Sequence, residues 1–311
     1  MTEHDKMLML KKMCHADGFI AALDQSGGST PKALRLYGIK DDAYEVGEKS
    51  MYDCIHKMRA RIMTSPKFNG DRILGAILFA DTMNREVEGL PTAEYLWKKK
   101  NVVPILKVDK GLEAEKDGVQ LMKPIPNLDT MCDAALANGV LATKMRSVIN
   151  QADLSGIKQI VEQQFDFGKQ IMAKGLVPIL EPEVSIKSPE KQEIEAMLRA
   201  ELMENLKLLR DDQKIMFKLT LPTVDDLYEQ LVTHPNVVRV VALSGGYTRA
   251  EADALLARQH GVVASFSRAL TEGLRDDMTE YAFDTLLDTS IGEIFAASKA
   301  SGVKKELHAH K

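Results

Sequence analysis

Cysteine is scarce: Cys14, Cys54 and Cys132 are the only three in 311 residues. An odd number without C-x-x-C spacing excludes a disulfide framework and a zinc knuckle, which leaves the thiols to packing. Histidine is uninformative in the same way. None in the body of the chain stands in H-x-H or H-E-x-x-H spacing, and His308 and His310 belong to the tail, so neither a metal nor a cofactor is expected. No run of about 18 apolar residues exists, and the apolar stretch Met7–Leu10 is too short for a signal-peptide core. The expectation is a cytoplasmic protein with no membrane partner. Acidic and basic residues, 45 and 41 for a net charge of −4, are interspersed, and the basic stripe that a nucleic-acid partner needs is missing. Linkers rich in proline, glycine or serine are absent too, so one domain over 1–311 is expected, with a loosely held tail from about residue 302.

The composition that remains, 45% hydrophobic and 28% charged, belongs to a globular protein with a sizeable core. Short apolar runs rich in β-formers alternate with longer segments of helical periodicity, the pattern of parallel βα units. Eight such runs stand out: Phe19–Asp24, Arg72–Ala80, Val102–Asp109, Gly139–Met145, Leu176–Val184, Lys214–Leu221, Val237–Leu243 and Val262–Arg268. Eight is the number that closes a (β/α)8 TIM barrel, a fold of about 250 residues plus extensions. Leu154–Ala173 and Glu190–Arg210 read as outer helices. In the second, Ile194, Met197, Leu198, Leu202, Leu206 and Leu209 form one stripe. Ser188-Pro189, and Thr223 with Asp226, read as helix starts. Thr271–Ser301 reads as a C-terminal helical extension over the barrel. The 16 methionines are assigned to packing.

Nearly every run ends in ionisable or hydroxyl residues, and in a barrel the carboxyl ends of the strands form the active-site face. In order these are Asp24, Asp81, Lys107 with Asp109, Lys144 with Arg146, Glu181 with Glu183, Lys218, Ser244 and Arg268. Period-two alternation puts each pair on one face of its strand. A rim ion pair would explain any one of them, but eight converging strand ends predict a charged pocket.

Lys218 stands apart, because it lies mid-strand in Ile-Met-Phe-Lys-Leu-Thr-Leu among apolar neighbours. Burial and nearby cations disfavour an ammonium and favour the free amine, which attacks a ketone to form an iminium, an electron sink. Glu181 and Glu183 in Glu-Pro-Glu supply carboxylates for proton transfer if burial raises one of them, and Asp24 is a candidate for the proton of a substrate hydroxyl. Two anion sites follow the last strands, Ser244-Gly245-Gly246 and Ser265-Phe266-Ser267-Arg268, where barrel enzymes commonly hold a phosphate. Ser26 and Ser29 with Lys107 offer a second, so the pocket suits a molecule with a phosphate at each end.

Seven ordered motifs resemble the class I fructose-bisphosphate aldolases in their shorter bacterial form. They are Ala-Leu-Asp-Gln-Ser-Gly-Gly-Ser at 22–29, Lys-Val-Asp-Lys-Gly at 107–111, Lys-Met-Arg at 144–146, Leu-Glu-Pro-Glu at 180–183, Phe-Lys-Leu at 217–219, Leu-Ser-Gly-Gly at 243–246 and Ser-Phe-Ser-Arg-Ala-Leu at 265–270. The resemblance spans Phe19 to about Leu270. It implies that Lys218 forms the Schiff base, that Glu181 is the main acid/base and that Asp24 assists C3–C4 cleavage. Lys144 and Arg146 would flank the reacting centre. Ser244, Gly245 and Arg268 would hold the phosphate next to the ketone, and Ser26, Ser29 and Lys107 the far one. The animal enzymes carry an acidic residue where this chain has Gln25 and a glycine where it has Ser267. They also end in a tyrosine that closes over the site, whereas this chain ends His308-Ala309-His310-Lys311.

The expected function is thus reversible cleavage of fructose 1,6-bisphosphate through a lysine Schiff base, in glycolysis or gluconeogenesis, without a metal. The rivals are another Schiff-base sugar-phosphate lyase or transaldolase, separable by its response to loss of the second phosphate, and a non-catalytic sugar-phosphate sensor, excluded by steady turnover. Composition leaves a homo-oligomer open and does not fix subunit count.

Overall fold

The eight runs form eight strands: β1 Phe19–Leu23, β2 Ile73–Leu78, β3 Val103–Lys107, β4 Ala142–Ile149, β5 Val177–Val184, β6 Ile215–Thr220, β7 Val237–Leu243 and β8 Val262–Ala264. The computed structural model describes residues 1–302. Neighbours pair in chain order, each parallel to the next. The sheet closes where the Ala22 N–H donates to the Phe266 carbonyl, 3.1 Å away and just past β8. This is a (β/α)8 barrel.

Alternation divides each strand between two cores. Ile20, Ala22, Ile77, Val103, Ile105, Ala142, Val177, Ile179, Met216, Val241 and Val263 form the inner cluster. Other strand residues, among them Ala21, Leu23, Leu106, Met145, Leu180, Phe217, Leu219 and Val240, pack outward against the helices. The inner face changes character along the strands. Ile20 and Ala22 lead to Asp24, Val103 and Ile105 to Lys107, Val177 and Ile179 to Glu181, and Met216 to Lys218. Apolar layers therefore fill the lower barrel and polar groups gather at its carboxyl-end mouth.

The lower mouth is plugged by a helix that the sequence reading does not anticipate, α1 Glu3–His15. A capping box starts it: Thr2 accepts the Asp5 N–H, and the Asp5 carboxylate accepts the Thr2 N–H. Met9 and Met13 are buried in the inner cluster, each contributing about 1.5–3 kcal/mol of burial. Arg239 holds the end of α1 by donating to the carbonyls of Met13 and Ala16 at 2.8 and 3.0 Å.

The remaining helices are α2 Ser29–Leu36, α3 Lys49–Thr64, α4 Ala80–Met83, α5 Thr92–Lys100, α6 Leu128–Ala137, α7 Leu154–Ala173, α8 Lys191–Leu206, α9 Glu229–Thr233, α10 Arg249–Leu256, α11 Arg268–Thr271 and α12 Glu280–Ala300. The expected outer helix at 154–173 is α7. Helix α8 is shorter than the expected 190–210, and Ser188 assists its start by accepting the Glu190 N–H at 3.3 Å. Thr223 and Asp226 do not start a helix. Glu195 takes the Thr223 N–H at 2.9 Å, and Asp226, at φ +59°, takes the His260 N–H at 2.7 Å instead. The C-terminal extension expected at Thr271–Ser301 is α12, preceded by the short α11 at the end of the eighth run. It is pinned where the Gly261 N–H donates to the Ser301 carbonyl at 2.7 Å. The tail expected from about 302 lies, from 303 onward, outside the described residues. Among the described residues no helix is long and apolar enough to cross a membrane.

Candidate active site

Asp24, Lys144, Glu181 and Lys218 come from four strands and form one chain of contacts across the upper barrel. Lys144 Nζ lies 2.8 Å from Asp24 Oδ2 and 2.7 Å from Glu181 Oε2, and Lys218 Nζ lies 3.1 Å from Glu181 Oε1. Lys144 and Glu181 are each 3% exposed and Lys218 4%, so water screens the group weakly. Burial alone would raise the Asp24 carboxyl. The neighbouring Lys144, with Lys218 behind it, outweighs it and holds Asp24 well below the usual carboxylate range. Burial likewise opposes the charge on Lys144, yet Asp24 and Glu181 raise its pKa well above that of an ordinary lysine. Glu181 thus bridges two lysines, one locked as an ammonium between two carboxylates, the other touching a single carboxylate at the floor of the cavity.

That cavity has a volume of about 570 Å³, and Lys107, Asp109, Arg146, Glu183, Ser244, Gly245, Ser267, Arg268, Ser26 and Ser29 line it with the four reactive-centre residues. Two more ion pairs shape one wall. Lys107 Nζ meets Asp109 Oδ1 at 2.6 Å and Arg146 Nε meets Glu183 Oε2 at 2.5 Å. Asp109 also accepts the backbone N–H groups of Arg146 and Gly111, both at 3.2 Å.

The opposite wall is built from the turns after β7 and β8. Gly245 has φ +60°, and a Cβ there would meet Ile186 Cγ2 at 2.8 Å, so only glycine lets the chain turn here. Gly246 does not line the cavity. A Cβ on it would stand 3.3 Å from Ile186 Cδ1 and 3.5 Å from Arg268 Nη2. Arg268 is exposed and makes no ion pair among the described residues. Ser26 and Ser29 stand at the start of α2, where the Ser29 hydroxyl accepts the Ser26 N–H at 3.0 Å and donates to the Ser26 carbonyl at 2.8 Å.

Residues 10–225 match the family model for class-I fructose-bisphosphate aldolase. The fructose-bisphosphate aldolase class 1 of Synechocystis sp. is 58% identical over 298 residues, 96% of this chain and 99% of that protein. The enzyme of the same name from Porphyromonas gingivalis is 54% identical over 289 residues, 93% of this chain and 98% of its own. The chain belongs to the class I fructose-bisphosphate aldolases. As a member of that family it is a carbon–carbon lyase. Its fold is also that of the Plasmodium falciparum fructose-bisphosphate aldolase, solved in a ternary complex with TRAP and a small-molecule inhibitor. The TM-score is 0.74 at 20% identity, covering 97% of this chain and 95% of the other.

In this aldolase the expected residues gather at one mouth, with Asp81 as the exception. Strand β2 stops at Leu78, so Asp81 falls in α4 and pairs with Arg85 at 2.8 Å, away from the cavity. Of the lining residues, Lys32 stands outside every motif, and Ser265 and Gln25 stand within motifs that assign them no separate role. Lys32 stands on α2 one turn after Ser29, a spacing that would have flagged it. The Ser265 hydroxyl is buried, lines the cavity and has no hydrogen-bond partner among the described residues. Gln25 owes its place to a residue on α3, a link no local pattern carries. Among the described residues no group of three or more histidine, cysteine, aspartate or glutamate side chains is placed to hold a metal ion.

Proposed function

We propose that the chain cleaves fructose 1,6-bisphosphate reversibly to dihydroxyacetone phosphate and glyceraldehyde 3-phosphate through a Schiff base on Lys218, the whole chain acting as one barrel domain. The observation that carries this reading is the contact chain Asp24, Lys144, Glu181, Lys218. It puts a buried amine 3.1 Å from a carboxylate that also touches an ammonium, the arrangement an iminium-forming lysine needs to exchange protons with a carbinolamine.

The Lys218 amine adds to the C2 carbonyl, and Glu181 delivers the proton with which the carbinolamine oxygen departs as water. The iminium then draws the C3–C4 electron pair as the C4 hydroxyl loses its proton toward Asp24, and glyceraldehyde 3-phosphate leaves. Asp24 is ionised but a weak base beside Lys144, so the electron demand of the iminium has to drive this step. The enamine takes a proton at C3, and hydrolysis returns the Lys218 amine and dihydroxyacetone phosphate. Ser244, Gly245, Ser267 and Arg268 hold the phosphate next to the ketone, while Ser26, Ser29 and Lys107 hold the far one. Arg146 and Glu183 bind the chain of hydroxyls between. On this reading the enzyme works in cytoplasmic glycolysis or its reversal and needs no cofactor.

Steady-state cleavage in excess chelator tests the reading. Turnover of fructose 1,6-bisphosphate that survives chelation, and falls when either phosphate is removed from the substrate, is the expected result. Equal turnover of a ketose lacking the far phosphate would assign the chemistry to a different sugar phosphate, and no turnover would leave a sensor.

A further inference from the structure

Arg59 on α3 is fully buried and makes no ion pair among the described residues. Its Nη1 donates to Thr82 Oγ1 at 2.7 Å. Its Nη2 donates to the Gln25 backbone carbonyl and lies 3.4 Å from Gln25 Oε1. Burial lowers this guanidinium to about 10, which leaves it charged at neutral pH. A guanidinium only donates, so the Gln25 amide has to turn its oxygen toward Arg59 and its NH2 the other way. That NH2 meets Ser267, with Nε2 donating to Oγ at 2.5 Å.

The direction of this relay decides what Ser267 can do. Its oxygen accepts from Gln25 and has no other partner among the described residues, so its own proton is free to point elsewhere. Ser267 lines the cavity together with Ser244, Gly245 and Arg268. A phosphate dianion there accepts hydrogen bonds and donates none.

We infer that Gln25, oriented by Arg59, fixes Ser267 as a hydrogen-bond donor to the substrate phosphate and thereby sets the affinity for phosphorylated ketoses. Gln25 is a positioning residue, acting through Ser267. The inference rests on the proposed reading of this end of the cavity as a phosphate site. Glutamate at position 25 would reverse the relay, because its carboxylate would accept the Ser267 proton and withdraw it from the ligand. Methionine, of similar length, would release Ser267 without offering it an acceptor.

The test measures dihydroxyacetone phosphate binding by calorimetry, with KM and kcat for fructose 1,6-bisphosphate, in Gln25→Glu, Gln25→Met, Ser267→Ala and the double variant Gln25→Glu/Ser267→Ala. Gln25→Glu is expected to weaken binding about ten- to a hundredfold, the worth of a hydrogen bond to a charged group. Gln25→Met should weaken it less, and KM should move more than kcat. In the Ser267→Ala background, adding Gln25→Glu should change affinity within about twofold, the mark of two residues acting as one. Equal losses from Gln25→Glu with and without the Ser267 hydroxyl, or a loss from methionine as large as from glutamate, would overturn the inference and leave the phosphate site standing. If Ser267→Ala alone leaves affinity unchanged, the phosphate does not use the Ser267 hydroxyl and this inference falls alone, whereas failure of the unsubstituted chain to bind dihydroxyacetone phosphate would overturn the reading of the site.

Discussion

Replacing Glu181 by glutamine keeps its shape but leaves two buried lysines sharing one carboxylate fewer. Lys144 keeps Asp24 at 2.8 Å, whereas Lys218 loses the acid it touches. We expect Glu181→Gln to lower kcat by about 10²–10⁴, the usual worth of a positioned acid/base, and to slow adduct formation in single-turnover kinetics. A residue that merely stabilised the fold would lower Tm and leave that rate intact. A second prediction concerns Asp253, whose carboxyl is pushed up to about 6 by burial and by Glu293, against Arg249, and whose Oδ1 has no hydrogen-bond partner among the described residues. A raised carboxyl binds its proton more tightly folded than unfolded, so the penalty is absent below about pH 4 and complete above about pH 6. Asp253→Asn should therefore raise stability at pH 7 by about 1 kcal/mol, discounted for the solvent that reaches this half-buried group, and change nothing near pH 4 in denaturant titrations. At this scale Lys218 was legible because a lysine amid a strand's apolar residues has few explanations. Gln25 was not, since its orientation depends on Arg59, 34 positions away.

At the scale of elements, the register of β5 and β6 explains how Glu181 and Lys218 are set. Their ladder pairs Ile179 with Met216 and Leu180 with Phe217 and goes no further, so both functional residues stand where the strands part. Above them the Thr220 hydroxyl takes over, accepting the Val184 N–H at 2.8 Å and donating to the Val184 carbonyl at 2.9 Å. Thr220→Val, of nearly the same volume, strands two buried backbone groups. It should cost about 1–3 kcal/mol in denaturant unfolding and lower kcat, while Thr220→Ser restores most of both. Unchanged stability in the valine variant would mean that the strands are held otherwise. The barrel strands and α7 were readable from periodicity alone. Helix α1 was not, because only Met9 and Met13 of its thirteen residues are buried, too few to write an apolar stripe. Met13→Ala is expected to cost about 2–5 kcal/mol, measured as a lowered unfolding midpoint. Thr223 and Asp226 misled because cap-like residues also bond to distant groups, here Glu195 and His260.

For the whole molecule, the division between an apolar lower barrel plugged by α1 and a charged upper mouth ties the fold to its chemistry. Six of the eight strand ends deliver charges of both signs to one cavity, and Asp24 and Lys144 remain ionised there because each faces opposite charge. The carboxyl of Asp24 is lower folded than unfolded. It therefore stabilises the protein above its unfolded value of about 4, and that contribution drains away as pH falls toward its folded value. The gathering of strand ends was legible in the sequence because the alternation of inward residues is fixed by the pleat. The direction of individual hydrogen bonds was not, because it depends on which side chains meet across the barrel. The most direct test of Lys218 is borohydride reduction with dihydroxyacetone phosphate in excess chelator, followed by peptide mass spectrometry. A stable adduct on Lys218, lost in Lys218→Met, is the expected result. Bound ligand with no lysine trapped, or an adduct confined to another lysine, would contradict the Schiff-base chemistry assigned to this site.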